Sequence, residues 1–103
     1  MTYALGATWT AIPGHEEEIR RILAELTPRT RAESGNRFYL ASQAAENESV
    51  FYLFEVYEDE AAYLDHQETA HFTRLVKNDA IPRHLASRER SFYRPLTGLG
   101  DLA

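Results

Sequence analysis

The 103 residues carry 44% hydrophobic and 26% charged side chains, with five Gly and four Pro. These are the proportions of one ordinary globular domain over residues 1–103, able to bury roughly 60 to 70% of its unfolded surface. Sixteen acidic against eleven basic side chains leave a net charge of −5, which repels polyanions and sets nucleic acid aside as a partner. The absence of cysteine removes disulfides, thiolate metal sites and cysteine nucleophiles together, and it fits a reducing compartment, so the cytoplasm is the expected location. No stretch approaches the roughly 20 apolar residues of a membrane span, and the N-terminus lacks a basic region followed by an apolar run, so neither signal peptide nor anchor is expected.

Residues 3–11 alternate, with Tyr3, Leu5, Ala7 and Trp9 opposite Ala4, Gly6, Thr8 and Thr10, the period of a strand with one bulky and one small face. Pro13-Gly14 punctuates, and Ile19, Ile22, Leu23 and Leu26 then form the stripe of an amphipathic helix whose first turn holds Glu16, Glu17 and Glu18, placed well for the helix dipole. Pro28 lacks an N–H and predicts a kink or a second helical segment capped by Thr27, with Gly35 as the stop. Residues 37–43 read as a second strand, Glu46-Asn47-Glu48 as a turn, and residues 49–57 as a third strand rich in aromatic and β-branched side chains.

Val50, Tyr52, Phe54 and Val56 share one face of that third strand, and Phe51 and Leu53 share the other. A strand apolar on both sides needs both covered. One layer of helices covers only one, so a second copy of the chain is expected on the other face, the alternative being a central strand in a monomeric core. Glu58-Asp59-Glu60 starts a short helix through His66, Thr69 caps another piece carrying Phe72, Leu75 and Val76, and Pro82 ends that region. Residues 88–96 read as a fourth strand and 97–103 as a loose tail.

The order β, α, β, β, α, β, with the second helical region split, is that of an α+β ferredoxin-like split βαβ sandwich with a four-stranded antiparallel sheet. RNA-binding modules of similar topology need basic and glycine-bearing aromatic motifs on the third strand, and Val50 to Glu55 has neither.

Residues 51–72, FYLFEVYEDEAAYLDHQETAHF, carry an aromatic strand ending in Glu55-Val56-Tyr57, the acidic turn Glu58-Asp59, the Ala61-Ala62 pair, and His66 followed by Thr69, His71 and Phe72. This stretch resembles the antibiotic biosynthesis monooxygenase superfamily, including its quinol monooxygenase-like members. Pro13-Gly14-His15-Glu16-Glu17 and Glu33-Ser34-Gly35 resemble it too. The resemblance implies a homodimer forming an α/β barrel, a pocket in each subunit between helices and sheet, and oxidation of phenolic, quinol-like or polycyclic aromatic small molecules by dioxygen without a cofactor. The family also includes haem-degrading enzymes and many proteins of unassigned activity. The haem-degrading branch uses a first-strand Asn, a Trp in the second helical region and an iron-binding His beyond it. Here Ala4, Gly6 and Thr8 occupy the first, His66 the second, and Leu75 and Val76 the third, so haem is not expected.

Deprotonating a phenol or quinol yields an anion able to pass an electron directly to dioxygen. A histidine near pKa 6.5 faces a phenol near 10, a mismatch of about 3.5 units or roughly 5 kcal/mol, so a base alone is insufficient and donors or positive charge must meet the oxyanion. His66 and His71 are the candidate base and relay, with a surface or capping imidazole as the plainer reading. Glu55, the one acid in an apolar strand, is the third catalytic candidate, orienting a histidine or substrate hydroxyl or pairing with Arg37 or Arg90. Trp9, Phe38, Tyr52, Phe54, Tyr63 and Phe72 are the candidate substrate-binding side chains, although most aromatics at strand period are core. No metal is expected, because two histidines five apart on one helix point about 140° from each other. His15 and His84 are expected to face solvent. Two further functions remain open: a non-catalytic dimeric domain binding a small ligand, and an isomerase or cyclase using the same pocket for proton transfer.

Overall fold

A computed structural model describes residues 2–98. Its elements run β1 (Tyr3–Ala11), α1 (Glu16–Arg31), β2 (Asn36–Gln43), β3 (Val50–Tyr57), α2 (Glu60–Gln67), α3 (Ala70–Phe72), α4 (Thr73–His84, wound as a π-helix) and β4 (Leu85–Tyr93). The strands form an antiparallel sheet ordered β2-β3-β1-β4, which is the α+β ferredoxin-like topology expected from the element order. Most of the tail expected at 97–103 lies outside the described residues. No helix among the described residues is long and apolar enough to cross a membrane.

The helices cover one face of the sheet. Ile19, Ile22, Leu23 and Leu26 of α1 and Leu75, Val76 and Ala80 of α4 pack with Ala7, Trp9, Phe51 and Leu53 into the main core. Because strand side chains alternate, this register puts Tyr39, Glu55, Leu5 and Phe92 in one transverse row of the covered face. Glu55 is therefore carried to the middle of the sheet, under the helices.

The opposite face carries Phe38 and Leu40 of β2, Tyr52 and Phe54 of β3, and Tyr93 of β4. Phe38 and Phe54 meet edge to face with centroids 5.9 Å apart. The Tyr52 hydroxyl lies where a side chain at Gly6 would stand, so the small face of β1 accommodates the large one of β3. Leu40, Tyr52 and Tyr93 are 48%, 42% and 53% exposed.

Three local expectations are corrected. The helix runs unbroken through Pro28 to Arg31. The missing N–H there frees only the carbonyl of Ala24, whose residue lies on the exposed side, and Thr27 is no cap, since its hydroxyl donates to the Leu23 carbonyl at 2.7 Å. Pro82 likewise sits inside α4 rather than ending it, so β4 begins at Leu85, directly after His84. Gly35 is not a left-handed helix stop, because Gly14, with φ 94°, has the one positive φ among the described residues. Gly35 is required for a different reason, a close approach to α2.

Candidate functional site

His66 lies in the last turn of α2, whose N-terminus is capped by the Asp59 carboxylate accepting from the Ala62 N–H at 2.8 Å. Beyond Gln67 the helix breaks. The Thr69 hydroxyl donates to the His66 carbonyl at 2.8 Å and accepts from the Phe72 N–H at 3.2 Å, closing one helical piece and opening the next. The break overturns the expected divergence of the two imidazoles, which assumed a continuous helix.

Both rings instead reach Glu33. His66 Nδ1 stands 2.8 Å and His71 Nε2 2.6 Å from the same carboxylate oxygen, Glu33 Oε2. Glu33 belongs to the tight turn after α1, where its N–H donates to the Thr30 carbonyl and its carbonyl accepts from Asn36. Gly35 then docks this turn on α2: a Cβ at position 35 would meet the Ala62 Cβ at 2.5 Å, and the Gly35 carbonyl accepts from the Glu58 N–H at 2.8 Å. The distance between Glu33 and His66 is thus fixed by backbone contact.

The other edge of His66 faces inward. Its Nε2 is 3.9 Å from Glu55 Oε1, beyond hydrogen-bond range, and the ring is 2% exposed. Phe72 meets it edge-on with centroids 4.9 Å apart, and Tyr57 and Tyr63 flank it at 5.3 and 6.2 Å. Trp9, Tyr39, Glu55, Tyr63, His66, Phe72, Arg88 and Arg90 line a cavity of ≈ 10 Å³ between sheet and helices, room for about one water molecule.

Burial pushes the Glu55 carboxyl up, against the Tyr57 hydrogen bond and the charges of His66 and Arg88, which favour its ionised form. The Tyr57 hydroxyl donates to Glu55 at 2.7 Å. Burial, followed by the Glu55 charge, also raises the phenols of Tyr57 and Tyr39. On the β4 side, Arg90 donates to the Tyr63 hydroxyl at 2.6 Å. Desolvation, and then Arg90, lowers the Arg88 guanidinium, and the buried Arg88 Nε has no partner among the described residues. The cavity therefore combines an imidazole edge, an inner carboxyl and an unpaired cationic donor.

Of the residues singled out from sequence, the cavity gathers His66, Glu55, Trp9, Tyr63 and Phe72, and His71 stands behind His66 on Glu33. Phe38, Tyr52 and Phe54 are not gathered with them: strand alternation puts these three on the opposite face of the sheet from Glu55 and His66. Glu55 pairs with neither expected arginine, since Arg37 binds Glu58 at 2.6 Å and Arg90 binds Tyr63. His15 and His84 do not simply face solvent, because their Nδ1 atoms are 2.9 Å apart and His84 Nε2 lies 3.0 Å from Asp79. Sequence reasoning missed Glu33, Tyr57 and Arg88. The available signal for Glu33 was its place in the Glu33-Ser34-Gly35 stretch; for Tyr57 it was strand parity with Glu55.

The raised Glu55 carboxyl has a measurable consequence. The native chain holds its proton above the ordinary carboxylate value near about 4.3, where the unfolded chain has lost it. Glu55 thus lowers stability progressively as pH rises from that value through its native one, and then levels off. Urea denaturation of wild type and Glu55→Gln from about pH 4 to about pH 8 is expected to show the variant gaining on wild type across this window. A difference between them that is flat with pH contradicts the assignment.

A sequence profile of the antibiotic biosynthesis monooxygenase family matches residues 2–78. The chain belongs to this family. The Bacillus subtilis protein named "Putative monooxygenase YcnE" is 38% identical over 64 residues, 62% of this chain and 67% of that protein. The crystal structure of PA3566 from Pseudomonas aeruginosa superposes with a TM-score of 0.86 at 33% identity, covering 93% of this chain and 95% of that one. The structure of Rv0793 from Mycobacterium tuberculosis shares the fold, with a TM-score of 0.80 at 24% identity over 96% and 99% of the two chains. Family membership and the named relative support a monooxygenase-like role.

Proposed function

We propose that this family member is a cofactor-independent monooxygenase that oxidises a phenolic, quinol-like or polycyclic aromatic small molecule with dioxygen. The observation that carries the reading is the buried His66 ring, bound to a carboxylate at Nδ1 and turned toward an aromatic, arginine-bearing cavity at Nε2. Glu33 accepting from Nδ1–H leaves the lone pair on Nε2, so the ring is set as a base toward the cavity. Proton removal from the substrate hydroxyl forms imidazolium between Glu33 and Glu55, while the oxyanion meets Arg88, whose Nε is a free donor. His71 shares Glu33 Oε2 and is 17% exposed, which gives the proton a route outward. Burial of the site lessens the competition of water with these charges.

The reaction balances without an external reductant. A phenol with a free ring position and one dioxygen give a quinone and one water, the phenol supplying all four electrons. Because the cavity is narrow, a ring enters by outward rotation of side chains on the exposed edge strand β4, where Arg90 lies over Phe92 at 5.7 Å and Phe92 touches Tyr3 and Tyr63. Oxygen-electrode assays over a panel of quinols and polycyclic phenols are expected to show one dioxygen consumed per product. Turnover undiminished under nitrogen sinks the oxygenase reading. That result would favour the isomerase or cyclase alternative, which the pairing of a raised carboxyl with an imidazole base specifically supports.

The homodimer belongs to the same proposal. Its support is the apolar sheet face opposite the helices, where Leu40, Tyr52 and Tyr93 are exposed. Equilibrium sedimentation at micromolar concentration is expected to give twice the chain mass of 11.8 kDa, and Tyr52→Glu to shift the population to single chains. A wild-type chain that sediments singly contradicts the pairing.

A further inference from the structure

The helix break has a second chemical result, on the side of His66 away from the cavity. Glu33, His66 and His71 each present one ligand atom, all within 4.8 Å of one another. Two imidazole nitrogens and one carboxylate oxygen are the donor set of three-ligand zinc sites, which keep a fourth position open. We propose that Glu33, His66 and His71 form a binding site for a divalent transition-metal ion of the zinc class.

Five observations carry it. The three side chains are 14%, 2% and 17% exposed, so the ligands are held by packing. They come from two separate elements, the turn after α1 and the α2–α3 junction, and both are pinned, by the Gly35–Ala62 contact and by Thr69. Both nitrogens now crowd one oxygen at 2.8 and 2.6 Å; tetrahedral ligands about 2.0–2.1 Å from an ion lie roughly 3.3 Å apart, so each nitrogen draws back from that oxygen by about half to three-quarters of an ångström to admit the ion. The site opens on a groove of ≈ 440 Å³ whose lining includes Asp59 and Asp65, and their carboxylates favour a cation. The Glu55 carboxylate also lies on the far side of the His66 ring, the place of an outer-shell partner.

Binding itself does not depend on the oxygenase reading. Its catalytic consequence does rest on that reading: an ion on Nδ1 leaves the ring proton on Nε2, the state that cannot act as base, so occupancy switches turnover off.

Calorimetric titration of the full chain with zinc chloride at neutral pH is the test. One ion per chain is expected, with His71→Ala and Glu33→Gln each weakening affinity at least about tenfold, His15→Ala leaving it unchanged, and excess magnesium failing to compete. No binding, wild-type affinity in both ligand variants, or loss in His15→Ala instead overturns the site. Should the ligand variants unfold, ring nitrogen NMR of the unmutated chain decides the same question. Zinc-induced shifts at His66 and His71 support the site, and shifts confined to His15 and His84 overturn it.

Discussion

Replacing His66 with Gln is expected to lower oxygen-dependent turnover by roughly 10²- to 10⁴-fold, the range for loss of a positioned general base. The loss falls on kcat more than on KM, because the aromatic walls and Arg88 remain. Gln is chosen over Ala for a physical reason. Its amide N–H can still donate to Glu33, whereas Ala leaves a half-buried carboxylate with only His71 and opens a void beside Phe72, Tyr57 and Tyr63. The lost hydrogen bond and the void both lower stability, which would blur the reading of turnover. Steady-state kinetics alongside urea denaturation separate the two effects. Turnover of His66→Gln within about tenfold of wild type would remove His66 from the role of base.

Gly35→Ala is expected to damage both stability and turnover although position 35 touches no substrate. The added methyl would stand 2.5 Å from the Ala62 Cβ and 3.6 Å from its Cα, and neither is the end of a flexible side chain. The turn and α2 must therefore part, at an overpacking cost of about 1–3 kcal/mol, and the separation draws Glu33 away from His66. Removing the opposing methyl relieves the clash. In the double variant Gly35→Ala/Ala62→Gly turnover is expected to recover, even though a glycine inside α2 costs about 1 kcal/mol by itself. The measurement is a double-mutant cycle on kcat and on unfolding free energy; additive losses would show that the contact does not set the site.

What the sequence made legible was whatever a local period records. Alternation over residues 3–11 placed β1, the aromatic and β-branched run over 49–57 placed β3, the Ile19 to Leu26 stripe placed the buried side of α1, and Thr69 announced a cap. The candidate site was only partly legible, because it forms where separate segments meet. Glu33 lies 33 positions from His66, and no period links them. Tyr52 and Phe54 lie on the sheet face opposite Glu55, as their parity already required: residues an odd number of positions apart in one strand point to opposite faces. With both faces of β3 apolar, the pattern could not say which one the helices would cover. Arg88 was hidden for the opposite reason, since β4 is an exposed edge whose polar sequence favours neither side.

The junction at Thr69 bears on more than the two histidines. A single hydroxyl ends α2 and begins α3, so it sets the rotational phase of every side chain from Phe72 through the core residues Leu75, Val76 and Ala80. Were the two pieces to fuse into one regular helix, each residue added or removed at the seam would turn that downstream series by about 100°. Core packing and the meeting of His71 with Glu33 are thus two readouts of one angular setting, and lineages that alter the seam must change both together.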